Sequence, residues 1–445
     1  NYELEIMIKN IKNYFLKSKN ISSFGELLFL LGVFFLPSTL FIGVIFLIPA
    51  ALLGSFNSKK NYFQDRWNIS FFCAGLFMIL STVIHNFFID NSFEYSWNAK
   101  LSVFGLANWL PFFWLFWAFQ LYTESKVQRK RVMVCVISGT FPILISGFGQ
   151  YFFDWTGPLQ IFNGLIIWYQ KPIIEPAGLS GLFSNQNYAG SWLNLVWPFC
   201  IALVLDKSQN FIKKSIAISF LISIGFSAFL TNSRNAWSGI MISLPIVIGS
   251  TSFIWLLPIF GIFLLIIAFC TFNSLSGEIQ NFLRDLIPNK VWLEFSKEGF
   301  KDLNVSRLQI FISAIKLIFQ RPLWGFGAAS FPIIYEIQTT FWKGHSHNLA
   351  LEIAVSYGLP SALIFIFTTF LILYFSVKKI FVLQNYNKID FYERAWWSSI
   401  FVFIISQSVD IQYFDGKISI LFWILLGGLR NIIRSGNAEY SLNEN

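Results

Sequence analysis

Asn348-Leu-Ala-Leu-Glu-Ile-Ala-Val-Ser-Tyr-Gly-Leu-Pro-Ser-Ala-Leu-Ile-Phe-Ile-Phe-Thr-Thr-Phe-Leu-Ile-Leu-Tyr-Phe-Ser-Val377 contains a single charged side chain, Glu352. At a rise of ~1.5 Å per residue this run would make a helix of about 45 Å, half again the ~30 Å that a bilayer's hydrocarbon layer requires. Gly358-Leu-Pro360 interrupts it, and the residues after Pro360 still supply about 26 Å, nearly a full crossing. The stretch reads as a membrane helix preceded by a shorter piece. That piece, carrying His347 and Glu352, should project toward the outer surface or fold back over a cavity.

The rest of the chain has the same character. Over 445 residues, 55% are hydrophobic, 19% aromatic and 12% charged, with a mean hydropathy of +0.59. Soluble domains carry about 25% charged residues, so neither a soluble globule nor a disordered chain fits. Apolar runs occur near 23–37, 39–54, 67–88, 101–121, 132–153, 188–205, 211–230, 235–250, 252–271, 348–377, 394–410 and 415–430. Lipid offers no partner to backbone amides and the runs lack strand alternation, so they should be helices. The expected fold is an all-α polytopic membrane protein of about twelve transmembrane helices in one membrane domain, 1–445. Helices 1–9 would fall in 23–271, a large extracytoplasmic loop in 272–347, helices 10–12 in 348–430 and a cytoplasmic tail in 431–445. The four cysteines, Cys73, Cys135, Cys200 and Cys270, form no paired motif and suggest neither zinc nor a disulfide framework.

A net charge of +9 would point to nucleic acid in a soluble protein. Threaded through twelve helices it means something else. With the N-terminus inside, 20 of the 32 lysines and arginines fall on inner segments, among them Lys9, Lys12, Lys17, Lys19, Lys59, Lys60, Lys126, Arg129, Lys130, Arg131 and Lys388. This is the positive-inside pattern. It places both termini on the cytoplasmic side, with membrane lipids and not nucleic acid as surroundings.

The loop 272–347 is the one large hydrophilic segment. Leu308, Phe311, Ile315 and Ile318 recur there at helical spacing, with Ser306 as N-cap and Pro322 as stop. The spacing predicts a surface helix lying flat, its apolar side in the interface.

Three stations at outer helix starts could carry chemistry: Ser233-Arg234, Ser306-Arg307 and His345-Ser346-His347-Asn348. Each sets a cationic or titratable group beside the free amides of a helix N-terminus, which favours anions. Arginine suits phosphate through its planar, bidentate fork. A single interfacial arginine commonly only snorkels to headgroups, but three stations on one face argue for more. His345 and His347 are two of the three histidines in the chain, and imidazole can take a proton from an attacking hydroxyl near neutral pH. No acidic cluster lies near them in sequence, so no metal is expected. Glu352 is either a functional group or a hydrogen-bond partner of a neighbouring span. Asp410 and Asp415 read as ordinary interface charges, and His85 as an interfacial residue.

His347-Asn348-Leu-Ala-Leu351-Glu352 followed by Gly358-Leu359-Pro360 resembles a signature of the O-antigen ligase and O-antigen polymerase superfamily. Arg307 with Gln320-Arg321-Pro322-Leu-Trp-Gly325-Phe-Gly327, Leu230-Thr-Asn-Ser-Arg234, and Gly181-Leu-Phe-Ser-Asn185-Gln-Asn187 resemble three further motifs of that family, in the same order. The resemblance covers roughly 180–375. It implies a metal-independent glycosyltransferase that uses a polyprenyl-pyrophosphate-linked glycan and no cofactor. Carried over by position, Arg234 and Arg307 would hold the pyrophosphate, Arg321 would assist, and His347 would activate the acceptor hydroxyl. Asn185 and Asn187 would structure the site or contact substrate. The additional His345 leaves open which imidazole is the base.

Within that superfamily the acceptor could be lipid A-core (ligase, favoured), a second lipid-linked repeat (polymerase) or a protein hydroxyl (O-oligosaccharyltransferase). A transporter, a label some superfamily members carry as bicarbonate carriers, is the reading from a different class. Against it stand the absence of a sequence repeat and only two acidic residues, Glu26 and Glu352, away from the ends of spans.

Overall fold

The computed structural model describes residues 21–58, 61–88, 100–164, 166–174, 177–249, 252–271, 277–286, 307–382 and 389–442. The expected N-cap Ser306 and the basic residues Lys9, Lys12, Lys17, Lys19, Lys59, Lys60 and Lys388 lie outside them. Every apolar run contains helix. The helices are α1 Ile21–Phe35, α2 Leu40–Phe56, α3 Arg66–Phe87, α4 Lys100–Gly105 and α5 Leu110–Ala118. They continue with α6 Lys126–Gly139, α7 Phe141–Phe153, α8 Gln186–Leu205, α9 Phe211–Leu230, α10 Arg234–Ile248 and α11 Phe253–Thr271. After these come α12 Gly277–Leu286, α13 Arg307–Gln320, α14 Ser330–Thr339, α15 Leu349–Tyr357, α16 Leu359–Val377, α17 Phe391–Ser406 and α18 Gly416–Leu442. The strands among the described residues are a small antiparallel hairpin, β1 Leu159–Ile161 and β2 Ile166–Trp168.

Seven helices among the described residues are long and apolar enough to cross a membrane: Arg66–Phe87, Lys100–Thr123, Lys126–Phe153, Gln186–Leu205, Phe211–Leu230, Leu359–Val382 and Gly416–Ser435. The protein is an all-α membrane protein. Its outward flanks expose Phe41, Ile212, Phe226, Phe367 and Phe370, side chains that a soluble surface would not collect in such numbers.

The centre is α8, α17 and the first half of α18. Trp192, Phe199, Trp396 and Trp423 are fully buried there. Around Trp423 an aromatic cluster joins four elements: Phe71 of α3 at 5.0 Å, Phe113 of α5 at 5.4 Å and Phe365 of α16 at 6.1 Å, each edge-on. Trp423 donates its indole N–H to Tyr413 Oη (2.9 Å), and Tyr413 donates in turn to the Asn108 carbonyl (3.0 Å). Rigid aromatic packing thereby fixes the 407–415 turn between α17 and α18.

Two ends of the bundle are chemically distinct. α8 begins beside Asp410, where Asn187 Nδ2 donates to that carboxylate (3.1 Å). It ends at Asp206, which accepts from Lys130 (2.9 Å). Twenty residues separate those ends, about 30 Å at ~1.5 Å per residue. The Asp206 end gathers ion pairs: Arg129 with Glu393 (2.9 Å), Lys126 with Asp390 (3.0 Å) and Arg430 with Asp65. Glu26 pairs with Arg131 at this same end (2.7 Å), away from the mid-membrane position that a coupled carrier would use.

The opening stretch breaks where Gly358 stands. α15 stops at Tyr357, α16 starts at Leu359, and Gly358 adopts φ 88°, ψ 166°, a region open only to glycine. A helix end leaves carbonyls without intrahelical partners, and lipid supplies none. Here the turn after α13 supplies them. Phe326 N–H donates to Val355 O (2.7 Å), Gly327 N–H to Ser356 O (3.0 Å) and Leu359 N–H to Pro322 O (2.8 Å). Gly325 and Gly358 permit the approach, because a Cβ on either would overlap the opposing backbone. The glycines of both motifs are thus one joint.

α13 has a buried stripe beside the apolar side that its spacing marks. Its buried stripe is Ile310, Ala314, Leu317 and Ile318, packed toward α15. Leu308 and Ile315 lie outside that stripe and are exposed, with Ile312 and Phe319, along a second apolar flank. The helix is apolar on two sides, so periodicity alone selected the outer one.

Gly358→Ala should cost on the order of 1–3 kcal/mol from backbone strain, before any steric overlap. The expected outcome is a lowered thermal unfolding midpoint in detergent. A midpoint equal to wild type would mean that the joint does not hold the two helices.

Candidate active site

The loop before α15 is shaped by the helix it feeds. Asn348 is the N-cap: its Oδ1 accepts from Leu351 N–H (3.1 Å), and its Nδ2 donates to Ser408 O (3.0 Å) in the α17–α18 turn. Leu349 N–H donates to Gln407 O (2.9 Å) in the same turn. Glu352, one turn into α15, bends back and accepts from Ser346 N–H (2.8 Å). That bond lies within its own loop and not to a neighbouring span. His347 is held at φ 55°, in the left-handed region that non-glycine residues adopt rarely.

The imidazoles then fall into different roles. His345 Nδ1 accepts from His347 N–H (3.1 Å), so His345 is neutral with its proton on Nε2. Burial pushes its pKa down to about 4, and the neighbouring His347 and Arg307 push the same way against the pull of Asp410. His347 Nδ1 lies 2.8 Å from Asp410 Oδ1. A carboxylate only accepts, so Nδ1 carries the proton and Nε2 is left as the basic nitrogen. Asp410 is itself well held. Its Oδ2 accepts from Asn187 Nδ2 (3.1 Å) and Gln412 Nε2 (3.0 Å). Burial alone would raise the Asp410 carboxyl, but the His347 hydrogen bond and the nearby positive charge, that of Arg307 included, outweigh it and hold the pKa below the usual range.

The other sequence-derived residues are distributed unequally. Arg307 opens α13, exposed, close enough for its charge to act on both His345 and Asp410. Arg234 opens α10 beside Asn235, whose Nδ2 donates to Ser406 Oγ (2.6 Å). Ser406 Oγ donates to Gln412 Oε1 (2.8 Å), and Gln412 holds Asp410. One polar chain therefore ties the start of α10 to His347. Asn185 is the N-cap of α8, accepting from Asn187 N–H (2.8 Å) and Tyr188 N–H (3.1 Å). Arg321 stands fourteen positions beyond Arg307, about 21 Å along the helix axis. Its guanidinium lies over Phe326 (4.6 Å), and its charge acts on His85. His85 in turn contacts Trp324 O (3.1 Å). The structure thus brings Arg307, His345, His347, Asn187 and the start of α10 together, and places Arg321 at the glycine joint.

Asp410 is the residue that the sequence concealed. It lies 63 positions from His347, so no local spacing pairs them. The available signal was the run Ser406-Gln-Ser-Val-Asp-Ile-Gln412, five polar residues in a turn between two apolar helices. Asp415 caps α18, accepting from Lys417 N–H (2.9 Å) and Ile418 N–H (3.2 Å).

His345, His347 and Asp410 bring ligand-type atoms within 4.8 Å of one another, a metal-compatible grouping that the sequence reading did not anticipate. Hydrogen bonding accounts for the closeness: Nδ1 of each ring is engaged, and Asp410 already serves three donors.

Acidification separates these groups. The folded pKa of His345 lies below its unfolded value, so the unfolded chain binds the extra proton, and stability present above pH 6.5 is lost as pH falls toward about 4. The thermal midpoint should fall across that window in wild type and fall less steeply in His345→Gln. Parallel curves for the two proteins would contradict the assignment.

No curated protein matches the chain. Residues 217–366 match the family model described as O-Antigen ligase. The matched segment includes Arg234, Arg307, His345, His347, Glu352 and both sides of the glycine joint, so the similarity to the O-antigen ligase family falls on the same residues that carry the motif resemblance.

Proposed function

We propose that this protein is a glycosyltransferase of the O-antigen ligase type. It transfers a glycan from a polyprenyl-pyrophosphate carrier to a hydroxyl acceptor, with lipid A-core favoured, at the periplasmic face of the bacterial inner membrane. The twelve apolar runs would make twelve crossings with both termini in the cytoplasm. The single observation that carries the reading is the Asp410–His347 hydrogen bond, which leaves Nε2 of His347 as the basic nitrogen beside a carboxylate that also feels the charge of Arg307.

In this scheme the acceptor oxygen attacks the anomeric carbon while the carbon–oxygen bond to pyrophosphate breaks. His347 Nε2 takes the acceptor's proton, and Asp410 stabilises the imidazolium that forms. The bond's electron pair leaves with the pyrophosphate, whose growing charge meets Arg307, Arg234 and the N-terminal ends of α10 and α13. Attack from the face opposite the leaving group inverts the anomeric configuration. His345, held neutral, adds no competing charge beside the base. The donor's own leaving group supplies the driving force, so the scheme draws on no nucleotide, cofactor or metal.

Arg307→Lys and His347→Ala should each abolish surface polysaccharide while the protein still inserts; normal glycan in both variants would sink the proposal. Asp410→Asn, which keeps the shape but removes the charge partner, should lower the transfer rate on the order of 10²–10⁴-fold. Activity in purified protein should survive a chelator, and loss restored by a divalent cation would instead favour a metal on His345, His347 and Asp410. A deletion strain distinguishes the acceptors. Bare core with accumulated lipid-linked polymer marks a ligase, whereas single repeats on the core mark a polymerase.

A further inference from the structure

α6 and α9 part company at the end of the bundle opposite the histidines. Phe141, at the start of α7, meets Phe220 of α9 with ring centroids 6.2 Å apart. On the Asp206 side of that contact lies a cavity of about 460 Å³, walled by Val134, Ile137, Leu203, Ile216 and Ala217, with Lys130 and Lys213 also lining it. Val134 and Ile216 are about half exposed, at 43% and 53%, so the cleft opens sideways toward lipid rather than into the protein.

Charge at this mouth is unbalanced. Asp206 is the acid there, and its oxygens are fully engaged. Oδ1 accepts from Ser208 N–H (2.9 Å) and Ser208 Oγ (2.7 Å), while Oδ2 accepts from Lys130, Gln209 and Tyr392 (2.9, 2.9 and 2.5 Å). Lys207, Lys213 and Lys214 add three further cations within nine residues, and Lys213 and Lys214 are exposed. An apolar cleft between membrane helices, open to the acyl layer and with cations at headgroup height, suits one kind of molecule.

We propose that this cleft binds an anionic phospholipid, its phosphodiester between Lys130 and Lys213 and one acyl chain along the groove up to the Phe141–Phe220 contact. The site lies about 30 Å from His347, along α8, and serves the membrane-embedded scaffold rather than the transfer reaction. Its existence does not depend on the proposed glycan chemistry.

Native mass spectrometry of the detergent-purified full chain, titrated with dioleoyl-phosphatidylglycerol or dioleoyl-phosphatidylcholine, tests it. Wild type should retain the phosphatidylglycerol adduct preferentially, and inorganic phosphate at millimolar concentration should not compete it away. Lys213→Glu, a surface change that leaves the fold intact, should weaken that adduct about tenfold. Ala217→Phe, which fills the groove, should remove it. Equal retention of the two lipids, displacement by free phosphate, or an unchanged adduct in Lys213→Glu would each overturn the proposal.

Discussion

A backbone amide or carbonyl inside a membrane must find its partner within the protein, and the site is organised around meeting that requirement at one helix break. Ending α15 at Tyr357 strands Val355 O and Ser356 O, and the turn at 322–327 answers them. That turn sits at the end of α13, the helix whose other end presents Arg307. At the opposite end of α15, Asn348 and Leu349 engage the α17–α18 turn, which bears Asp410. The short helix is therefore docked at both ends, and each docking delivers a charged residue to the histidine face.

The imidazole geometry follows from that docking rather than from any strong local preference. His347 adopts a left-handed backbone that would cost roughly 1–3 kcal/mol in isolation. Hydrogen bonds to its own N–H and its ring, together with the Ser346–Glu352 bond beside it, hold the conformation. The two histidines differ because one accepts at Nδ1 and the other donates there. Their order in the sequence does not distinguish them; their partners do.

The all-α membrane class was legible in the sequence because long uncharged runs admit no other solution, and the break at Gly358 because glycine and proline punctuate helices wherever they occur. Arg307 and His347 were legible through motif context. Asp410 was not, since a contact across 63 positions is set by how α17 and α18 pack and leaves no periodic trace. The span count met a similar limit. Runs such as 23–37 and 235–250 became helices of 15 residues, and length by itself does not say how such elements sit in a bilayer. The outward apolar side of α13, at Leu308 and Ile315, was legible from spacing, whereas its inward stripe at Ile310, Ala314 and Leu317 is chosen by tertiary packing.

That double-flanked helix has a mechanical consequence. Ile310, Ala314, Leu317 and Ile318 bind α13 to the protein, while Leu308, Ile312, Ile315 and Phe319 face outward. The inward stripe and the glycine joint together fix where the helix lies along α15. Arg307 rides at its leading end. The position of that guanidinium is therefore set by how Ile310, Ala314, Leu317 and Ile318 seat the helix, so a change of volume at Ala314, Leu317 or Ile318 would move a charge about two turns or more away.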